Sequence, residues 1–192
     1  MKNIRELIKT RRSCRAYLDR PIGREVIEAL IAEAVWAPTG SNNQPWRFAV
    51  VQDKAVLKRY SDMAKKRWLE DLARSPHMRQ YEKSIRDPEY NIFYDAPVLV
   101  VVYGDPSSFW CVYDCTMVAY NLMLLGEEDG LGSCWIGFAH NVLESEETKR
   151  ELGIPVACRL VAPIILGHPD PSKLGPAIPR KPYVTQFVGP NR

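Results

Sequence analysis

Three arginines and a serine lie within five residues near the start of the chain. Ile4, Leu7 and Ile8 precede them at helical spacing, so a first helix is predicted to end at this cluster and to deliver it to a loop. Guanidinium and hydroxyl groups offer charge and hydrogen bonds in the planar geometry that phosphate oxygens favour. The cluster predicts an anion site, and a solvated basic surface is the alternative interpretation. Its members are Arg11, Arg12, Ser13 and Arg15.

A second polar cluster lies between a predicted helix over 24–36 and a predicted strand over 46–51. Small residues and amide side chains leave the backbone of this loop open to hydrogen bonding, which suits the edge of a flat, polar ligand. A turn that satisfies its own backbone is the alternative, because Asn and Ser form such turns routinely. The loop consists of Pro38, Thr39, Gly40, Ser41, Asn42, Asn43 and Gln44.

Helical and strand patterns alternate along the rest of the chain. Apolar runs predict buried strands over 97–103 and 160–166, and helical spacing predicts helices over 54–73, 111–126 and 146–152. No repeat or linker divides the sequence, so residues 1–192 are expected to form a single α+β domain with layers of helix and sheet.

Two segments lack an obvious place in such a core. The helix over 111–126 is apolar almost all round, so we expect it to be central or to lie at a subunit interface, with Leu122 in the contact. The tail from Gly167 holds six prolines and little periodicity. It must therefore lie on its own domain or on a partner.

The composition excludes several classes of protein. With 26 Lys and Arg against 23 Asp and Glu, the net charge of +3 gives no field of the kind that dominates nucleic-acid binding. No apolar run has membrane-spanning length, and we expect a cytoplasmic protein. Five cysteines without a CxxC pair predict neither a disulfide framework nor a metal site. Cys111 and Cys115 could share a helix face and seat a metal, but burial as small apolar residues is favoured.

The stretch over 74–95 mixes aromatic residues with many charges and two prolines. This composition favours a mobile cover over a binding site, with ordinary surface packing as the alternative. The candidate substrate contacts are Tyr81, Tyr90, Phe93 and Tyr94.

Five segments, in this order, resemble the nitroreductase family. They are Arg-Arg-Ser-x-Arg at 11–15, Ala-Pro-Thr-Gly-Ser-Asn-Asn-Gln-Pro-Trp at 37–46, Gly-Leu-Gly-Ser-Cys-Trp-Ile-Gly at 130–137, Leu-Gly-His-Pro at 166–169 and Arg-Lys-Pro at 180–182. The similarity covers the chain except 60–95, which is a candidate substrate-cover insertion. The resemblance implies a three-layer sandwich, with a mostly antiparallel central sheet flanked by helices and a C-terminal tail that extends onto a dimer partner.

The resemblance also implies non-covalently bound FMN. Arg11 and Arg180 would grip its phosphate, with Arg12 and Ser13 along the phosphate and ribityl chain. Arg15 would face the pyrimidine end of the ring, where a positive group stabilises the negative charge of the reduced flavin.

Further contacts to the flavin ring are implied in the same way. Part of the loop of residues 38–44 would reach across from the second subunit, and a backbone N–H near Gly137 would point at flavin N5. Lys181 could substitute for a basic residue that some relatives carry where this chain has Ile178. The implied contacts are Pro38, Thr39, Gly40, Ser41, Asn42, Gln44, Ile136, Gly137 and Lys181.

The activity implied is that of an FMN-dependent homodimer. Hydride from NAD(P)H would pass through flavin N5 to a small aromatic or conjugated acceptor, such as a nitro compound, a quinone or an enone. The flavin carries this chemistry, so neither a catalytic side chain nor a metal is expected. The alternatives are a non-catalytic FMN-binding sensor or carrier, and a specialised member such as a dehalogenase-like or flavin-consuming enzyme.

Overall fold

The computed structural model describes residues 3–72, 76–183, 185–186 and 188–189, with the backbone alone at 76–78. Its centre is one antiparallel sheet of four strands in the order β1-β2-β4-β3. Every residue of β2 is buried, as its run of valines predicted, because both faces of this central strand are covered. The strands are β1 (Trp46–Val51), β2 (Val98–Gly104), β3 (Gly132–Trp135) and β4 (Arg159–Gly167).

Helices cover both faces of the sheet. Alternate residues of β2 point to opposite sides, so Val100 joins the core under α2 and α5, whereas Val101 joins the core under α3 and α6. This arrangement confirms the predicted α+β three-layer fold. The helices are α1 (Ile4–Thr10), α2 (Arg24–Ala34), α3 (Lys54–Asp71), α4 (Glu82–Arg86), α5 (Cys111–Glu128), α6 (His140–Leu143) and α7 (Glu146–Glu151).

Helix α5 has one buried face and one exposed face, although its sequence is apolar almost all round. Val118, Ala119 and Leu122 are fully buried against the sheet. The prediction that Leu122 lies in a subunit contact is therefore wrong, since its side chain is part of the core of its own chain.

No helix in the described part of the chain is long and apolar enough to cross a membrane.

All five cysteines are buried as free thiols.

The C-terminal tail is largely exposed. Beyond β4, its described residues include one short 3-10 turn at Pro171–Lys173, and Ile178 and Tyr183 are 74% and 88% exposed. Its placement on a partner subunit stays a prediction.

Residues 90–94 of the predicted cover segment pack against the core, and we call this part of the segment the wall. Ile92 and Phe93 are 1% and 0% exposed, and Tyr90 and Tyr94 pack against the same cluster. The idea of a loose cover is thus wrong for Ile92 and Phe93, whose side chains are buried in the layer that α3 covers, with Tyr90 and Tyr94 half-buried beside them.

Helix α3 holds this wall through a buried ammonium group. Nζ of Lys65 donates hydrogen bonds to the carbonyl oxygens of Asp87, Pro88 and Tyr90, at 3.2, 3.2 and 2.8 Å. Lys65 is only 6% exposed, so these carbonyls replace the water that the charge would otherwise require. The clamp thus joins α3, which lies outside the stretch over 74–95, to backbone carbonyls within that stretch.

Ser61 supplies a second link between α3 and the wall. Its buried Oγ accepts a hydrogen bond of 3.0 Å from the backbone N–H of Ile92. Ser61→Ala should lower the free energy of unfolding by about 1–2 kcal/mol, because it leaves that N–H buried without an acceptor. Urea denaturation measures the loss, and Ser84→Ala on exposed α4 is the matched control. Equal midpoints for Ser61→Ala and the parent protein would refute the link.

Candidate functional site

A cavity of about 470 Å³ opens beside the carboxyl end of β3, and we call it the main cavity. Its volume is within the range of pockets that bind small molecules and cofactors. Segments from distant parts of the sequence meet there: the loop after α1, helix α3, the wall that includes residues 90–94, and the turn after β3. The lining residues of its aromatic side are Trp68, Tyr81, Tyr94, Trp135 and Phe138.

Phe138 organises the aromatic side of the main cavity. Its ring centroid lies 6.2 Å from that of Trp68 and 5.1 Å from that of Tyr81, and both pairs are nearly perpendicular. Nε1 of Trp68 donates a 2.8 Å hydrogen bond to the Phe138 carbonyl. Edge-to-face contacts of this kind hold the rings in place, which gives the cavity a fixed flat wall.

The end of β3 forms the other side of the main cavity, with Cys134, Ile136 and Gly137. The backbone N–H of Ile136 donates to the carbonyl of Pro163 at 2.8 Å, which continues the pairing with β4 beyond the last strand residue. No atom lies within 4 Å of the place where a Cβ would stand on Gly137. The backbone at Gly137 therefore faces open space, as a contact to a flat ring requires.

The arginine cluster is brought to the main cavity by pairing with β3. Ser13 forms a parallel bridge with Ser133, and the N–H of Cys14 donates to the Ser133 carbonyl at 2.9 Å. The next residue, Arg15, lines the cavity. The prediction that a helix delivers the cluster to a loop is confirmed, because α1 ends at Thr10.

The positive charges of the arginine cluster affect the pKa of Cys134. Burial raises the pKa of this thiol, while the positive charges of Arg15 and Arg11 and a hydrogen bond with Ser13 act in the opposite direction. Arg11, Ser13 and Arg15 therefore all act electrostatically on this thiol at the end of β3.

The surroundings of Arg11 indicate whether a phosphate group fits this part of the structure. Its Nη1 is buried and has no hydrogen-bond partner in the described chain. A buried donor without an acceptor is costly, and a guanidinium group forms its strongest hydrogen bonds with anionic oxygens. The residues present thus fit a phosphate group beside the main cavity.

Arg12 points elsewhere. It lines a separate cavity of about 180 Å³, together with Glu127, Pro169 and Leu174. The structure does not bring Arg12 to the main cavity. Its contact with the phosphate or the ribityl chain stays a prediction.

The loop of residues 38–44 is anchored at the amino end of α5. The N–H of Gly40 lies 3.2 and 3.3 Å from the two carboxylate oxygens of Asp114, which is buried. A Cβ on Gly40 would stand 2.5 Å from Cδ1 of Trp110, so only glycine fits without a shift of the loop or of the Trp110 side chain.

The same loop also bonds within itself. Asn42 accepts from the Gln44 side chain at 3.1 Å, and Oγ1 of Thr39 accepts from the Gln44 N–H at 3.4 Å. Ser41, Asn42 and Gln44 have positive φ values of 53, 54 and 47°. The structure describes the whole of this loop, and none of its residues, Pro38 included, lines the main cavity of its own chain.

A row of exposed aromatic and apolar side chains lies next to this loop, and we call it the aromatic face. Phe109 is 83% exposed and Tyr113 is 64% exposed. Soluble proteins rarely leave such a continuous apolar surface open to water, and it typically marks an interaction site. The aromatic face consists of Phe109, Trp110, Tyr113, Met117 and Tyr120.

Two predicted phosphate contacts lie in the tail and away from the main cavity. Arg180 is exposed, and its Nη1 donates to the Ile178 carbonyl at 2.8 Å. Lys181 is exposed as well. The structure of one chain does not join either residue to Arg11.

The candidate substrate residues divide into three groups. Tyr81 and Tyr94 line the main cavity, whereas Tyr90 lies behind Tyr94 and contacts its hydroxyl at 3.1 Å. Phe93 is fully buried in the core, so its assignment to the substrate site is corrected.

Sequence reasoning missed five residues that line the cavity. Trp135 and Phe138 flank the predicted contacts at 136 and 137, so neighbourhood alone could have indicated them. Trp68 and Ile92 carry no local signal, because only the packing of α3 and of the wall brings them to the site. The five are Trp68, Ile92, Cys134, Trp135 and Phe138.

Comparison with known proteins gives consistent matches along the chain. The model of the Nitroreductase family matches residues 8–168. A protein of Archaeoglobus fulgidus, provisionally named NADH dehydrogenase/NAD(P)H nitroreductase, is 29% identical over 179 residues, which cover 90% of this chain and 89% of that protein. An iodotyrosine deiodinase of Thermotoga neapolitana is 28% identical over 193 residues, covering 97% and 98%. The crystal structure of a Bacteroides fragilis nitroreductase with bound FMN superposes with a TM-score of 0.82, at 25% identity, and covers 98% of this chain and 100% of that chain.

Proposed function

The chain belongs to the nitroreductase family, and on that premise we propose that it is an FMN-dependent oxidoreductase that works as a homodimer. Hydride passes from NADH or NADPH through flavin N5 to a small aromatic or conjugated acceptor. The observation that carries this proposal is the buried Nη1 of Arg11, which has no partner in the described chain, beside a cavity that Arg15 lines. The bound FMN of the Bacteroides fragilis relative supports it.

The arginines have separate roles in this proposal. Arg11 donates to the phosphate, while Arg15 lies beside the ring, where its charge stabilises an anionic reduced state. The open backbone at Gly137 lies against the ring. Arg180 comes to the phosphate with the tail, from a position that a single chain leaves exposed.

The second subunit completes the site. Loop 38–44 is fixed against α5 and does not line the main cavity of its own chain, so its contacts with flavin are made across the dimer. The aromatic face lies beside the same anchor and is the surface that the partner covers. Dimerisation and cofactor binding are therefore coupled.

The acceptor binds against the aromatic wall of Trp68, Tyr81 and Phe138. Among the described residues, Arg15 is the charged residue that lines the main cavity, so neutral and anionic aromatic compounds suit it better than cationic ones. Likeness to iodotyrosine deiodinase supports a second candidate, reductive dehalogenation of an aromatic ring.

Anaerobic spectroscopy of the purified protein tests the function. NADH or NADPH should bleach the absorbance of bound FMN, and stopped-flow mixing with a nitrobenzene, a quinone, an enone or 3-iodotyrosine should identify the acceptor class that restores it. A yellow protein that neither nicotinamide reduces would support a non-catalytic flavin carrier instead. A colourless protein that FMN cannot reconstitute would refute the proposal.

A further inference from the structure

We propose that the Tyr94 hydroxyl is a binding subsite for an oxygen atom of the acceptor, and that Tyr90 positions this hydroxyl. The ligand class is an aromatic or conjugated compound whose oxygen, in a nitro group or a carbonyl group, accepts a hydrogen bond. This inference rests on the proposed function, because it concerns the acceptor of the same cavity.

The two tyrosines form an ordered pair at the cavity wall. Tyr94 lines the main cavity, whereas Tyr90 does not, and their hydroxyl oxygens lie 3.1 Å apart. The rings are nearly perpendicular, with centroids 5.9 Å apart. When the Tyr90 hydroxyl donates to that of Tyr94, the proton of Tyr94 is left to donate into the cavity.

Tyr90 is protonated over the whole neutral range. Burial, and next the hydrogen bond to Tyr94, raise the pKa of Tyr90 above its ordinary value. Its hydroxyl can therefore donate to that of Tyr94 throughout this range.

The backbone sets the direction of the Tyr94 side chain. Tyr94 and Asp95 have φ values of 54 and 55°, in the left-handed region that non-glycine residues rarely occupy. Asn91 stabilises the turn, since its carbonyl accepts from the Tyr94 N–H and its side-chain amide donates to Asp95 Oδ1, both at 2.9 Å. Such conformations persist where the surroundings over-determine them, and they cluster at binding sites.

Apart from Arg15 and Gly137, which the proposed function assigns to the flavin, the polar side chains of the cavity wall other than Tyr94 are engaged or exposed to water. Nε1 of Trp68 donates to the Phe138 carbonyl, and Sγ of Cys134 donates to the Trp135 carbonyl at 3.7 Å. Tyr81 is 42% exposed, so water competes for its hydroxyl. Tyr94 is half-buried, and a fixed donor there stabilises the oxygen that gains negative charge as a nitro compound, quinone or enone is reduced.

The test uses the FMN-loaded protein and two probes that differ in one oxygen, acetophenone and ethylbenzene. Their dissociation constants follow from changes in the absorbance of the bound flavin, without any turnover. Tyr94→Phe should weaken acetophenone about threefold to tenfold, the range for one neutral hydrogen bond, and leave ethylbenzene unchanged. Tyr90→Phe should weaken acetophenone less, because the hydroxyl stays but loses its orientation.

Tyr60→Phe is the matched control, because this buried tyrosine does not line the main cavity, and it should bind both probes like the parent protein. The subsite is overturned if Tyr94→Phe binds acetophenone normally, if it loses both probes equally, or if Tyr60→Phe shows the selective loss instead. A parent protein that holds no FMN would refute the proposed function, and the subsite with it. A normal, reducible flavin combined with any of the three results above would refute the subsite alone.

Discussion

Tyr113→Asp is expected to split the proposed homodimer and to release FMN from both of its sites. Tyr113 is 64% exposed in the single chain, so aspartate costs little there. At a covered interface, the new carboxylate would lie without a partner among apolar side chains, which costs several kcal/mol. The dimer dissociation constant should rise by at least about 100-fold, and FMN affinity should fall with it.

Sizing chromatography with light scattering measures the assembly, and equilibrium dialysis measures the FMN bound to each chain. Tyr113→Phe keeps the apolar ring and should remain a yellow dimer. The unfolding midpoint of Tyr113→Asp, measured without FMN, separates dissociation from loss of the fold. A monomeric Tyr113→Asp that retains a full complement of FMN would show that the site is complete within one chain.

Arg11→Ala should weaken FMN binding by about 10- to 100-fold, which corresponds to the loss of a charge-assisted hydrogen bond of about 1.5–3 kcal/mol. The buried Nη1 of Arg11 has no partner in the described chain, so little internal structure depends on it. Stability without FMN should therefore change less than FMN affinity does.

Titration of protein without flavin, followed by fluorescence quenching of added FMN, gives the affinity. Arg24→Ala is the matched control, because this exposed arginine pairs only with Glu28 on the surface of α2. Riboflavin, which lacks the phosphate, should bind Arg11→Ala and the parent protein equally. Unchanged FMN affinity in Arg11→Ala would show that the phosphate binds elsewhere.

Much of the fold could be predicted from the sequence because its signals are local. The strand over 46–51 was predicted with the bounds that the structure has, and the valine run of β2 indicated burial on both faces. Ser145, a residue type favoured at helix starts, caps α7 by accepting from the N–H of Thr148. In each case the residues that determine the element lie within it or next to it.

The failures of prediction depend on contacts between distant residues. Periodicity could not choose between the two faces of α5, so Leu122 was placed at the interface and Tyr113 was overlooked. The charges of the segment before Tyr94 suggested a surface position, because the sequence does not show that its backbone carbonyls bind a buried lysine of α3. Trp68 and Phe138 meet across 70 positions, which only the packing of α3 decides.

Hybrid dimers test most directly whether two chains share each flavin site. One chain carries Arg11→Ala and the other carries Gly40→Ala, whose added Cβ would stand 2.5 Å from Trp110 and displace the loop or that side chain. The two chains bear different affinity tags, and FMN is kept below the dissociation constant of either variant homodimer. In a shared site, the hybrid regains one intact site, with Arg11 from one chain and loop 38–44 from the other. The account predicts one FMN per hybrid dimer; a hybrid that binds no more FMN than the variant homodimers would contradict it.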